Sequence, residues 1–199
     1  PTVTGSVAVF GNYVRDLILE NGSGDAVDPL YYDNSDAPIA TLGTELGVRR
    51  DWRQGYMVGV SYSYQHSRFL AGSSLSDLFG AKRSPEFRHV ANSPEHLATV
   101  KGALPIVGRL LTLGSRLTFE TGRFDRNERV GDDPQTRSEP FAIWDVMFSG
   151  EEPRWGFSWA AGVYNAFDWH YSLPVSGEFR QTTIAQSGRS LMLSGDLTF

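Results

Sequence analysis

Residues 191–199 read LMLSGDLTF, and in this stretch large apolar side chains alternate with mostly polar ones. Its large apolar side chains stand at every second position except 195, namely Leu191, Leu193, Leu197 and Phe199, and the positions between them hold Met192, Ser194, Asp196 and Thr198. In a strand, successive side chains point to opposite faces, whereas helical spacing would scatter these sets around a cylinder. The stretch therefore predicts a β-strand with one apolar face.

The same alternation recurs along the whole chain. Between 56 and 65, for example, valine and tyrosine alternate with glycine, serine and other residues. Counting such segments predicts eight strands, at about 5–18, 39–52, 56–68, 96–106, 110–123, 138–149, 155–167 and 189–199. Most of these strands are about 10–14 residues long, which suits a tilted crossing of a lipid bilayer, whereas strands in soluble proteins more often have five or six residues.

The connections between these segments alternate in length. Three are tight turns, at 53–55, 107–109 and 150–154, and four are long and polar, near 19–38, 69–95, 124–137 and 168–188. Outer-membrane barrels have short periplasmic turns and longer extracellular loops. With a periplasmic C-terminus, all three tight turns fall on the periplasmic side. The pattern predicts an all-β, antiparallel, up-and-down transmembrane barrel, with aromatic girdle residues near the tight turns at Trp52, Tyr56, Trp155, Phe157 and Phe199.

Composition excludes several other classes of protein. The 199 residues carry a net charge of −5, which argues against nucleic acid as a partner, because phosphate binding needs a basic face. There is no cysteine, and no run approaches the 18 apolar residues of a membrane-spanning helix. The four histidines, at 66, 89, 96 and 170, lack metal-ligand spacing, and no nucleophile, phosphate-loop or metalloprotease motif occurs. We therefore expect no enzyme, no metal and no cofactor.

Charged residues fall on the predicted strands at positions that alternate with the apolar ones. A basic side chain that faces lipid would cost about 2–4 kcal/mol near the bilayer midplane, whereas this cost is small in a water-filled or plugged interior. We expect seven of them to face the lumen, where they either contact a plug or a solute or supply general polarity: Glu45, Arg49, Lys101, Arg116, Glu120, Asp145 and Asp196.

Five segments, taken in order, resemble the TonB-dependent outer-membrane receptors. Residues 9–18 (VFGNYVRDLI) resemble a strand of that family's barrel, and 33–46 its returning strand. Residues 92–97 (NSPEHL) resemble its late-barrel N-x-P-x-H segment. Residues 162–168 (GVYNAFD) resemble its G-x-x-N-L-F-D strand, with Ala166 in place of leucine, and 186–199 resemble the final strand.

The resemblance implies that residues 1–199 are the last eight strands of a plugged barrel of roughly 22 strands. The plug domain, the earlier strands and the segment that engages a TonB-type energy-coupling protein are then expected outside this sequence, and the residues that follow Pro1 predict no signal peptide. It further implies uptake of a scarce solute, for which a ferric siderophore is the expectation, and a location in the lipid of the bacterial outer membrane. A barrel-assembly signal is expected at Leu191, Leu193, Leu197 and Phe199.

Loop aromatics are the candidates for ligand contact, although anchoring at the membrane–water interface explains them equally well. They are Tyr31, Tyr32, Phe79, Phe87, Trp169 and Tyr171. Two other architectures stay open: a self-standing eight-stranded outer-membrane barrel with a structural or adhesive role, and a soluble lipocalin-like binder. The direction of the leucines and tyrosines decides against the soluble binder if they point away from a dry core.

Overall fold

The structure, a computed structural model, describes residues 2–21, 27, 29, 31–72, 84–85, 87, 89–125, 135–175, 179 and 181–198. Twelve strands and one short 3-10 helix are present in these ranges. Eight long strands form the main sheet: β1 (Thr2–Val14), β4 (Ile39–Asp51), β5 (Met57–Phe69), β6 (His96–Val107), β7 (Leu111–Glu120), β8 (Phe141–Glu152), β9 (Phe157–Tyr164) and β12 (Ser190–Leu197). The other four form two small hairpins: β2 (Ile18–Asn21) with β3 (Tyr31–Asn34), and β10 (Ser172–Pro174) with β11 (Thr183–Ala185).

The main sheet is antiparallel, and its strands follow chain order as β1-β4-β5-β6-β7-β8-β9-β12. This confirms the all-β, up-and-down arrangement of eight strands. Within the described residues, β1 pairs only with β4 and β12 only with β9. The sheet is therefore open in this structure, as expected of part of a larger barrel.

Three tight turns lie at one end of the sheet, next to the end of β12. At the first, Trp52 N–H donates to Tyr56 C=O over 2.9 Å. The third turn differs from the expectation of 150–154, because β8 continues to Glu152 and the chain turns through a 3-10 helix at Pro153–Trp155. Gly156 follows with φ 59°, a left-handed conformation that glycine adopts at low cost, and this sets the start of β9 at Phe157.

The opposite end of the sheet carries the long connections and a small apolar core. Ala37, Ile39, Phe69 and Phe87 are buried there, and the rings of Phe69 and Phe87 stack with centroids 4.3 Å apart. Leu17, Leu19 and Val90 pack against this core. The core therefore lies beneath the loops, and the leucines and tyrosines of the strands are not gathered inside the sheet.

Within the part of the chain that the structure describes, no helix has the length and apolar character needed to cross a membrane.

Candidate functional site

One face of the main sheet is apolar and uncovered. Along one row across all eight strands the register places Val3, Arg50, Val58, Gly102, Ser115, Val146, Val163 and Leu191. Exposure on this face is high at the two edge strands, reaching 81% for Val9 and 83% for Leu193. A soluble protein rarely leaves a contiguous apolar surface of this extent uncovered, so the face needs a lipid or protein partner.

The other face is polar, and a row of charges crosses its middle. Arg49, Gly59, Lys101, Arg116 and Asp145 stand opposite one another on β4 to β8. Arg49 contacts Asp51 at 2.8 Å, and Arg116 contacts Asp145 at 2.6 Å. Two cations, Lys101 and Arg116, are direct cross-strand neighbours. The row therefore carries more positive than negative charge at its centre.

All seven charges that the sequence singled out lie on this polar face. Glu45 is opposite Ala8 and Ser63, and Asp196 is opposite Ser158. Glu120 lies at the loop end, where both of its carboxylate oxygens accept hydrogen bonds from Arg123. Four of the seven share one row, and among the ion pairs of the described residues only that between Arg116 and Asp145 joins two of them.

Asp145 also connects the polar face to the last long loop. Its Oδ2 accepts from Arg116, and its Oδ1 accepts from the backbone N–H of Asn165 at 3.0 Å. Asn165 is buried with φ 50°, and its side chain binds both backbone groups of Trp169. This arrangement turns the chain out of β9, which is why the strand ends at Tyr164 and not at 167 as expected.

Asp168 closes the base of the same loop. Its Oδ1 accepts from the backbone N–H of Arg189 at 2.7 Å, immediately before β12 begins. This hydrogen bond holds the pKa of the Asp168 carboxyl below its ordinary value, with a smaller contribution from the positive charges of His170 and Arg189 and against the effect of desolvation. The segment 165–189 is thereby fastened at both ends. The sequence marked Asn165 and Asp168 only through the family-like motif, since their links to Asp145 and Arg189 join residues 20 and 21 positions apart.

The predicted ligand-contact aromatics fall into different environments. Tyr31 and Tyr32 are 50% and 62% exposed on β3, and Trp169 is exposed beyond β9. Tyr171 stacks on Phe141 with centroids 4.2 Å apart, which leaves it half-buried.

For Phe87 the expectation is corrected. This residue is 3% exposed and belongs to the loop-end core, so it packs against Phe69 and presents no surface to a ligand. Phe79 lies outside the described residues.

A polar network at the loop end was not foreseen from the sequence. His66 Nδ1 lies 3.0 Å from Glu95 Oε1, and Arg137 reaches the other oxygen of Glu95 at 3.8 Å. Asp125 accepts from the backbone N–H and the hydroxyl of Thr136. The contact between His66 and Glu95 joins residues 29 positions apart, and that between Asp125 and Thr136 joins residues 11 positions apart. No local sequence pattern therefore reveals them. They hold the bases of the loops that follow β5 and β7.

The histidines at this end of the sheet contact different partners. His96 contacts Tyr62 Oη at 2.7 Å, and His89 stacks on Phe124 at 3.9 Å between ring centroids. Among the residues that the structure describes, no group of three or more His, Asp or Glu side chains is arranged to hold a metal ion.

The predicted assembly-signal leucines occupy one face of β12. Leu191, Leu193 and Leu197 are all exposed on the apolar side of this edge strand. Phe199 lies outside the described residues.

The family model described as "TonB dependent receptor-like, beta-barrel" matches residues 1–166 of this chain. No curated protein was found to match the sequence.

Solved structures resemble the fold closely at low sequence identity. The ferric-catecholate import receptor Fiu from E. coli K12 has a TM-score of 0.70 at 16% identity, covering 99% of this chain and 25% of that one. The ferric citrate transporter FecA gives 0.73 at 19% identity, covering 99% and 29%. The copper transporter OprC gives 0.72 at 19% identity, also covering 99% and 29%. This chain thus spans less than a third of the length of each of these three proteins.

Proposed function

The chain belongs to the TonB-dependent receptor-like β-barrel family, and we propose that it forms the C-terminal part of the barrel of an outer-membrane receptor for energy-coupled uptake of a scarce solute. The observation that carries this proposal is the division of the sheet into an uncovered apolar face and a charged face across eight strands. Transmembrane barrels present alternate residues to lipid and to the interior in this way. The tight turns then face the periplasm, and the long loops face outward.

The open edges support a longer parent protein. In lipid, an unpaired backbone group costs several kcal/mol, so β1 and β12 require neighbouring strands. The three solved structures named above are more than three times as long as this chain, which leaves room for the remaining strands and a plug. A self-standing eight-stranded barrel would instead need β1 and β12 to pair, and in the described residues they do not.

The proposed partners follow from this placement. The charged face meets the plug domain or the solute through Glu45, Arg49, Lys101, Arg116, Glu120, Asp145 and Asp196. A TonB-type protein engages the N-terminal part of the parent chain, and barrel-assembly machinery reads the last strand through Leu191, Leu193, Leu197 and Phe199.

A ferric siderophore is the proposed solute. Two of the three solved structures are named for ferric chelates and one for copper, and each of those names describes that protein alone. Exposed loop aromatics suit the flat, aromatic or polyoxygenated surface of an iron chelate. The four that remain candidates are Tyr31, Tyr32, Trp169 and Tyr171.

Deletion of the parent gene tests the proposed function. Growth of the deletion strain is measured on a panel of ferric siderophores, ferric citrate and copper as metal sources, with the complemented strain as control. The proposal expects growth to fail on at least one ferric chelate and to return on complementation. Equal growth of both strains on every ferric chelate, with a defect confined to copper, would overturn the choice of solute. Recovery of the protein in the soluble fraction without detergent would overturn the membrane location itself.

A further inference from the structure

A groove opens on the apolar face near the first and second tight turns. It has a volume of about 630 Å³ and is lined by mostly apolar residues, among them Trp52, Tyr56, Val58, Leu104 and Leu113. Its floor is low because Gly102 and Ser115 stand opposite each other on β6 and β7. The Ser115 hydroxyl accepts a hydrogen bond from Trp144 Nε1 at 2.9 Å. This polar group at the bottom of the groove therefore already has a hydrogen-bond partner and does not require a polar ligand.

One positive charge stands beside this groove. Arg50 is exposed on the apolar face, with Val3 and Val58 as its cross-strand neighbours. Among the described residues, no acidic side chain shares its row. Its guanidinium lies over the ring of Trp52, 4.6 Å from the centroid. Trp52 is two residues nearer the turn, so the charge is directed toward the edge of the bilayer.

Arginine in this position favours an anionic group at the level of the lipid headgroups. A basic side chain facing lipid costs about 2–4 kcal/mol at the bilayer midplane and about 0–1 kcal/mol near the interface. The guanidinium fork binds phosphate through two hydrogen bonds. Trp52 and Tyr56 mark the interface on the same side, because aromatic residues concentrate at that depth.

We propose that this groove binds one glycerophospholipid of the periplasmic leaflet, with an acyl chain along Gly102 and the phosphodiester on Arg50. The phosphate matches the positive charge of Arg50, and the acyl chain matches the apolar lining. The inference rests on the proposed membrane location and adds a specific lipid site to a surface that otherwise meets lipid without preference.

Two substitutions remove the two halves of the site. Arg50→Gln removes the charge. Gly102→Leu fills the groove, and the backbone accepts a side chain there, since an added Cβ would lie 3.5 Å from Met57 O, an ordinary contact. The matched controls are Arg109→Gln, at the second tight turn, and Gly5→Leu, on the apolar face of β1. An added Cβ at Gly5 would lie 3.9 Å from Gly47 O, an ordinary contact.

Native mass spectrometry of the full-length receptor, purified in mild detergent with added 1-palmitoyl-2-oleoyl-phosphatidylglycerol, tests the site. The fraction with one bound lipid is expected to fall at least about fivefold in both Arg50→Gln and Gly102→Leu and to stay unchanged in both controls. Each variant is first checked for heat-modifiable migration, and Gly102→Leu alone still decides the matter if Arg50→Gln fails to insert.

Equal lipid occupancy in all five proteins would overturn the proposal, as would a loss in only one of the two site variants when both insert. Displacement of the lipid by inorganic phosphate alone would also overturn it, as would a receptor dimer that Gly102→Leu dissociates. These results would leave the membrane location standing, whereas a receptor that stays soluble without detergent would remove the proposed function as well.

Discussion

The side-chain amide of Asn165 binds both backbone groups of Trp169. Its Oδ1 accepts from the Trp169 N–H at 2.8 Å, and its Nδ2 donates to the Trp169 C=O at 2.9 Å. Asn165 is 4% exposed and has φ 50°, a conformation that asparagine tolerates better than most residues. One residue thus sets both the end of β9 and the direction of the loop that follows.

Replacing Asn165 by alanine is expected to destabilise this loop. The change removes two hydrogen bonds from a buried site and places alanine at positive φ, so we expect a cost of about 2–3 kcal/mol. Urea unfolding of the detergent-solubilised receptor measures it, together with protease cleavage within 168–188. Asn12→Ala, an exposed asparagine on β1, is the matched control and should change stability by less than about 0.5 kcal/mol. Equal stability of the two variants would contradict the assigned role.

The closure at Asp168 is expected to open in acid. Its folded-state pKa lies below the unfolded value of about 3.9, so its stabilising contribution is complete above that value and is lost as the pH falls through the folded pKa. Hydrogen exchange of the Arg189 amide should therefore speed up, beyond the intrinsic pH effect, only below about pH 4. In Asp168→Asn this acid-dependent change should be absent. An Arg189 amide that exchanges at its intrinsic rate at neutral pH would show that the bond is not formed.

Asp145 and Arg116 are expected to contribute unequally, although they form one ion pair. The Arg116 side chain is 56% exposed, so Arg116→Gln should cost less than about 1 kcal/mol. The Asp145 side chain is 13% exposed and also accepts from the Asn165 N–H, so Asp145→Ala should cost about 2–3 kcal/mol. A double-mutant cycle with urea unfolding measures both values. Equal costs would mean that the bond to Asn165 adds nothing.

Phe87 and Tyr32 are expected to separate folding from ligand contact. Phe87→Ala empties part of the loop-end core, and such changes typically cost about 3–5 kcal/mol, so the amount of folded receptor should fall. Tyr32→Ala, at an exposed site, should leave the amount unchanged and raise the half-saturating concentration of the transported chelate. Uptake of radiolabelled iron, normalised to heat-modifiable receptor, measures both. A normal half-saturating concentration in Tyr32→Ala would remove this tyrosine from the ligand site.

Most of the sheet could be predicted from the sequence, because alternation is a local property. The expected ends of the strand at 39–52 differ from β4 (Ile39–Asp51) by one residue at most, and the expected strand at 56–68 is displaced by one residue from β5 (Met57–Phe69). The family-like segments pointed to the same fold. The face that each charge occupies also follows from alternation alone.

The features that were missed depend on contacts between distant segments. The hairpins β2–β3 and β10–β11 have strands of only three or four residues, too short for a period to be recognised. Phe87 resembles the other loop aromatics in sequence, and only its packing on Phe69 shows that it is buried. The link from Asp145 to Asn165 spans 20 residues and depends on a single carboxylate oxygen.

The central claim is that the leucine- and valine-bearing face of the sheet meets lipid, while the charged face is turned inward. Because this chain has no cysteine, spin labels can be placed singly at Leu46, Val60, Glu45 and Ser61 in a full-length receptor freed of any other cysteine and inserted in vesicles. Power-saturation measurements should show that oxygen relaxes the labels at 46 and 60 far more than a water-soluble nickel chelate does, with no such preference for oxygen at 45 and 61. Oxygen preference at 45 and 61, with labels at 46 and 60 reached by the nickel chelate, would contradict the account.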